Sequence, residues 1–174
     1  CHCALALLAL VLSGVDAKAV VLSGSYETEP GLTIDETSVA FGLASEFDGV
    51  VALYNSGRLC TGVLISATAV LTARHCTDGR IDTAWNAFFG TSMTGFSSIS
   101  VESVTTLTPN ASSPKSYFNG TDLAVLTLSR AADGAQPYEI LTNAEYAETV
   151  AILGYGRTGD GETGYTSEID YNRR

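Results

Sequence analysis

From Val39 onward the chain is a succession of short apolar runs separated by turn residues. Val50–Tyr54, Gly62–Ser66 and Ala69–Thr72 come close together, and Ala87–Phe89, Ser98–Leu107, Leu123–Leu128 and Thr149–Leu153 follow. They are rich in Val, Ile, Leu, Thr and Phe, and none carries a long helical period. Asn55-Ser56-Gly57, Asp78-Gly79 and Asn119-Gly120 read as turns, and Ala131–Tyr138, with Gly134 and Pro137, reads as a loop. A short helical stretch is expected at Asn143–Glu148. Many short strands with polar turns predict an all-β fold, a barrel or a sandwich.

The 174 residues amount to about one domain, and 45% hydrophobic with 16% charged residues suits a folded chain. A formal net charge of -10 gives no electrostatic footprint for nucleic acid, so that partner class is set aside. Ala4–Leu12 is an apolar run too short to span a bilayer, followed by Ala17-Lys18-Ala19, an A-x-A cleavage pattern. Residues 1–19 are therefore read as a signal peptide truncated at its front, with a buried apolar strand or helix as the alternative. Residues 20–38, polar and acidic with Pro30-Gly31, read as a propeptide or N-terminal arm, and 39–174 as the folded domain. Cys1 and Cys3 fall in the leader, which leaves Cys60 and Cys76. In an exported protein these form either one bridge, which would add about 3 kcal/mol by the chain-entropy model, or two free thiols.

Two residues carry chemistry. His75 follows the apolar stretch Val70-Leu71-Thr72 and precedes Cys76, so it stands at a strand end where the chain turns sharply. A general base needs such fixed placement, since proton transfer depends on geometry first. Taken alone, a His beside a Cys is more often a surface or satisfied core residue. Asp122 opens the strongly apolar stretch Leu123–Leu128. A carboxylate at that border caps a turn or strand, or it holds an imidazole N–H and fixes its tautomer.

Cys60-Thr61-Gly62-Val63-Leu64-Ile65-Ser66, followed by Val70-Leu71-Thr72-Ala73-Arg74-His75-Cys76, resembles the block around the catalytic His of trypsin-like serine proteases. Thr121-Asp122-Leu123-Ala124-Val125-Leu126-Thr127-Leu128 resembles the block around their catalytic Asp. Val150-Ala151-Ile152-Leu153-Gly154-Tyr155-Gly156 resembles the segment that leads from the first barrel toward the second. The blocks stand in the family's order, and His75 and Asp122 are 47 residues apart, which suits it. The resemblance implies the chymotrypsin-like fold: two six-stranded antiparallel β-barrels, of which this chain holds the N-terminal one and largely lacks the second. It implies a Cys60–Cys76 disulfide, His75 as general base and then general acid, and Asp122 as its orienting partner. The expected protein is a secreted or periplasmic endopeptidase acting on protein or peptide substrates. No cofactor, and no membrane after signal removal, is expected; the complete protein is expected to be a monomer.

The chain also departs from the family. No Gly-Asp-Ser-Gly-Gly stretch occurs, and Ser92, Ser97 and Ser98 lie between the His and Asp blocks, where the nucleophile does not belong. The chain alone is expected to be inactive, as a fragment or alternatively as a secreted pseudoprotease or binding protein. Val39-Ala40-Phe41-Gly42 is the nearest match to a freed N-terminus, but Phe41 replaces a Gly and Ser38 precedes the cut. Arg74 replaces a small residue before the His and is expected to face solvent, with a role in shaping the substrate cleft as the alternative. Asn110-Ala111-Ser112 and Asn119-Gly120-Thr121 match the glycosylation pattern. Asp78, Asp82 and Glu102 lack calcium-ligand spacing, and two His residues supply no zinc site, so no metal is expected. The loose G-x-G-x-x-G at Gly154–Gly159 lacks its βαβ context. The polar, Gly-rich stretch after Gly156 is expected to close no sheet.

Overall fold

A computed structural model describes residues 19–22, 42–77, 84–92, 97–106, 121–140, 152–160, 164–165 and 173. The strands in chain order are β1 (Ala19–Leu22), β2 (Val50–Asn55), β3 (Arg58–Ser66), β4 (Ala69–Thr72), β5 (Asn86–Phe88), β6 (Ser98–Thr106), β7 (Ala124–Leu128), β8 (Arg157–Asp160) and β9 (Gly164–Tyr165). One turn of 3-10 helix (Ser45–Phe47) precedes β2, and one turn of α-helix (Arg74–Thr77) follows β4.

The first hairpin shows how the sequence sets the register. Asn55 faces Arg58 across a loop of two residues, Ser56 at φ 45° and Gly57 at φ 88°. Both lie in the left-handed region, the backbone of a type I′ turn, whose twist matches that of the flanking strands. With the turn fixed, β2 and β3 pair antiparallel from Asn55–Arg58 down to Val50–Val63. β3 therefore starts at Arg58, four residues before the apolar stretch from which its start was expected. Arg58 and Thr61 mask a strand that the hairpin dictates.

Successive antiparallel pairings close the ring in the order β2-β3-β4-β7-β6-β5, with β5 returning to β2. The all-β expectation resolves to a six-stranded barrel, and closure removes exposed sheet edges. Side chains alternate as a barrel requires: Ala124, Leu126 and Leu128 of β7 point inward, as do Ile99 and Val101 of β6. Trp85, fully buried just before β5, fills the same core. At β2 the alternation disappears because both faces are covered. Val51 and Leu53 face the barrel interior, and Val50 packs outside it against Phe47 and Leu153. That accounts for the unbroken run Val50–Leu53.

Gly62 sits where β3 crosses this core. A Cβ there would stand 2.5 Å from Val70 Cγ1 and 3.0 Å from Leu53 Cδ1, so only glycine fits.

The stretch after Gly156 does pair, contrary to expectation. β8 runs parallel to β1, from Ala19–Arg157 to Leu22–Asp160, and antiparallel to the short β9. Backbone hydrogen bonds need no apolar side chains, so the composition there gave no strand signal. The helical stretch at Asn143–Glu148 and the glycosylation motifs at Asn110 and Asn119 lie outside the described residues. So do Asp78, Asp82, Thr149–Ala151, residues 1–18 and 23–41, and the chain after Tyr165 except Arg173. Among the described residues, no helix is long and apolar enough to cross a membrane.

Candidate active site

The barrel register brings the two chemical residues together. β4 pairs with β7 so that Thr72 faces Ala124. His75 lies three residues past that pair on one strand and Asp122 two residues before it on the other, so both emerge at the same end of the barrel. The strand end is secured by the Thr72 hydroxyl, which donates to the Thr61 carbonyl at 2.8 Å.

His75 then lies within a single helical turn that is tied from several sides. Cys76 is bridged to Cys60, with a Cα–Cα distance of 6.2 Å. The Cys76 amide donates to the Ala73 carbonyl at 3.1 Å. The Thr77 hydroxyl donates to the Arg74 carbonyl at 2.9 Å. Arg58 Nη1 donates to the carbonyls of His75 at 3.2 Å and Cys76 at 3.1 Å. Arg74 is buried, only 4% exposed, which corrects the expectation that it faces solvent. It opens a turn that the disulfide draws against β3, so its side chain is taken inward with the turn.

Asp122 meets His75 with both oxygens. His75 Nδ1 lies 2.7 Å from Oδ2, and the His75 backbone N–H donates to Oδ1 at 2.8 Å. The imidazole is 36% exposed and the carboxylate 16%. An Nδ1–H held on a carboxylate leaves the lone pair on Nε2, the tautomer a general base requires. The carboxylate is also placed to stabilise an imidazolium.

A second set of contacts secures the segment after Leu153. The Tyr155 amide donates to Thr61 Oγ1 at 2.9 Å, and its phenol donates to the Gly90 carbonyl. Burial pushes the Tyr155 phenol up to about 12, against an opposing pull from the Arg173 cation. Arg173 itself is fully buried. Its guanidinium donates to the carbonyls of Gly42 at 2.6 Å, Ala44 at 3.1 Å and Phe47, and reaches Asp48 Oδ1 at 3.0 Å.

The structure thus places His75 against Asp122 and Cys60 against Cys76. Ser98 instead opens β6, on the barrel wall. The contributions of Arg58, Thr61, Trp85 and Arg173 went unread. Thr61 lies inside a quoted block, but its role depends on contacts with residues 11 and 94 positions away. The Trypsin family model matches residues 43–172.

The chain belongs to the trypsin family.

This trypsin-family chain is similar in fold to the scabies mite inactivated protease paralogue S-D1, with a TM-score of 0.58 at 14% identity. That match covers 74% of this chain and 56% of the mite protein, so the chain spans little over half of that relative's length. It is also similar to the VesB protease of Vibrio cholerae, with a TM-score of 0.41 and 23% identity over 49% of this chain and 28% of that one. No curated protein sequence matches the chain.

Proposed function

We propose that this chain carries the proton-transfer half of a secreted serine endopeptidase. The observation that carries the reading is the double engagement of Asp122 with His75, at Nδ1 and at the backbone N–H. His75 Nε2 takes the proton from a serine hydroxyl as that oxygen attacks the scissile carbonyl, and returns it to the leaving amine. Asp122 keeps the ring in the Nδ1–H tautomer and stabilises the imidazolium between the two transfers. These roles are those of the family's general mechanism, fitted to the geometry seen here.

The nucleophile and the oxyanion donors belong to the second barrel in this reading, and the chain alone does not turn over peptides. Export is part of this reading: it rests on the apolar run and the A-x-A pattern in residues 1–19, although Ala19 itself pairs with Arg157 in β1, and it is supported by the Cys60–Cys76 bridge. Residues 20–38 would then be an arm or propeptide ahead of the protease domain, and the complete protein a monomer acting on protein or peptide substrates.

Sequencing the transcript past codon 174 tests the reading. An open frame containing Gly-Asp-Ser-Gly-Gly, with turnover by its product that His75→Ala lowers about 10⁴-fold or more, supports it. A stop codon directly after Arg174 sinks it and leaves the pseudoprotease alternative.

A further inference from the structure

The one-turn helix Arg74–Thr77 is too short to satisfy its own carbonyls, because the last four C=O groups of any helix lack an intrahelical partner. Here side chains take up three of them. The Arg74 carbonyl accepts from Thr77 Oγ1, and those of His75 and Cys76 both accept from Arg58 Nη1. Arg58 is the first residue of β3, delivered to this spot by the two-residue turn that precedes it. A cation over the carbonyl end of a helical turn is also favourable to the dipole.

The consequence falls on His75. Each residue is joined to the chain by two planar peptide units, and the orientations of those planes set its φ and ψ. Asp122 Oδ1 holds the plane on the N-terminal side through the His75 N–H. Arg58 holds the plane on the C-terminal side through the His75 C=O. With both planes fixed, the Cα–Cβ direction is fixed, and the ring keeps only its two side-chain torsions. The contact from Nδ1 to Asp122 Oδ2 then selects those. The Cys60–Cys76 bridge restrains Cys76 only through its side chain. The same plane also carries the Cys76 N–H, which donates to the Ala73 carbonyl at 3.1 Å, so Arg58 holds the carbonyl side of a plane whose amide side is already bonded within the turn.

We propose that Arg58 is a positioning residue for the general base, fixing the peptide plane after His75 as Asp122 fixes the one before it. The proposal rests on the reading of His75 as that base. Both hydrogen bonds leave from one nitrogen, so an ammonium at that place serves most of the same purpose. A side chain without a donor does not.

The test reads the His75–Asp122 bond directly and needs no nucleophile, so it stands apart from whether the complete protein is a protease. The oxidised 174-residue chain is labelled with ¹⁵N-imidazole, and the His75 Nδ1–H signal is identified by its loss in His75→Ala. Solvent exchange of that proton is compared with exchange of the Leu126 amide, inside the barrel wall. In Arg58→Met the Nδ1–H exchange rises about tenfold while Leu126 is unchanged, as expected for losing a charge-assisted hydrogen bond at a half-buried site. Arg58→Lys stays within about threefold of the parent. If Arg58→Met does not fold, Arg58→Leu takes its place, likewise without a donor and with the same expected rise. The proposal is overturned if Nδ1–H exchange in the donor-deficient variant stays within about twofold of the parent. It is equally overturned if Leu126 accelerates in parallel, or if Arg58→Lys exchanges as fast as that variant.

Discussion

Asp122 places one carboxylate oxygen on the His75 ring and the other on the His75 backbone N–H, at 2.7 and 2.8 Å. The second contact does what a ring contact alone cannot. It ties the carboxylate to the backbone, so the acceptor for Nδ1–H stays in place whichever way the ring turns.

In the endopeptidase proposed above, Asp122→Asn therefore acts on turnover more than on binding. The Asn amide keeps one oxygen and replaces the other with an NH₂ group, which cannot accept from Nδ1–H and the backbone N–H together. The ring then favours the wrong tautomer. We expect kcat to fall about 10⁴-fold with KM nearly constant, a magnitude taken from serine-protease triads in general. Steady-state kinetics on a peptide amide checks this, and a loss confined to KM would count against it.

The fold was legible in the sequence where alternation and turns were both present. β4 was read at its observed bounds, and β7 within one residue. Its alternating apolar residues face the core, and Thr121-Asp122 ends the apolar pattern. β8 was missed because a parallel pairing through Arg157–Asp160 leaves no apolar trace. Of the site, His75, Asp122 and the two cysteines were legible because their chemistry is carried by residue type within local motifs. Arg58 and Arg173 were not, because each acts on backbone carbonyls. Carbonyls are present at every residue, so no local pattern marks which of them a distant arginine will meet.

The disulfide spans 16 positions between β3 and the His75 turn. Closing a loop of that length in the unfolded chain is worth about 3 kcal/mol in the entropy model. The double variant Cys60→Ser/Cys76→Ser should lose about that much in urea unfolding, with the barrel retained. A change in the denaturant slope without a shift of midpoint would instead point to an altered unfolded state.

Gly62→Ala should destabilise the barrel although alanine is the smallest possible addition. The new methyl group would stand 2.5 Å from Val70 Cγ1, and both neighbours belong to the packed wall of β2–β4. Overpacking of this kind costs about 1–3 kcal/mol. Pairing it with Val70→Ala should recover part of the loss, since the obstructing atom is removed. Urea midpoints of the single and double variants decide the point, and simple additivity would contradict the clash.

Arg173→Met should release the segment that enters the barrel. It removes the donors to the carbonyls of Gly42, Ala44 and Phe47 from a fully buried site. The Asp48 contact adds little, because that carboxylate is 35% exposed and screened by water. Orphaned buried carbonyls cost about 1–3 kcal/mol. Hydrogen exchange at residues 42–48 should accelerate more than at Leu126. Equal acceleration at both would show that Arg173 stabilises the whole barrel, not this segment.

Tyr155 gives the protein an alkaline limit. Its folded phenol ionises at about 12, against 10.0 for the unperturbed group, chiefly because burial disfavours the phenolate. Between those values the unfolded chain has released a proton that the folded chain still binds. Stability contributed by the neutral phenol is therefore complete below pH 10 and falls as the pH rises toward 12. Tyr138, also raised by burial, adds in the same direction. Tyr155→Phe should lower stability by about 1 kcal/mol near neutrality, since the Gly90 carbonyl loses its donor. It should also flatten the decline above pH 10, leaving the part due to Tyr138. Urea unfolding at half-unit pH steps from 8.5 to 11.5, taken on both proteins, separates the two effects. An unchanged alkaline slope in the variant would mean that Tyr155 ionises with the unfolded value and lies open to water.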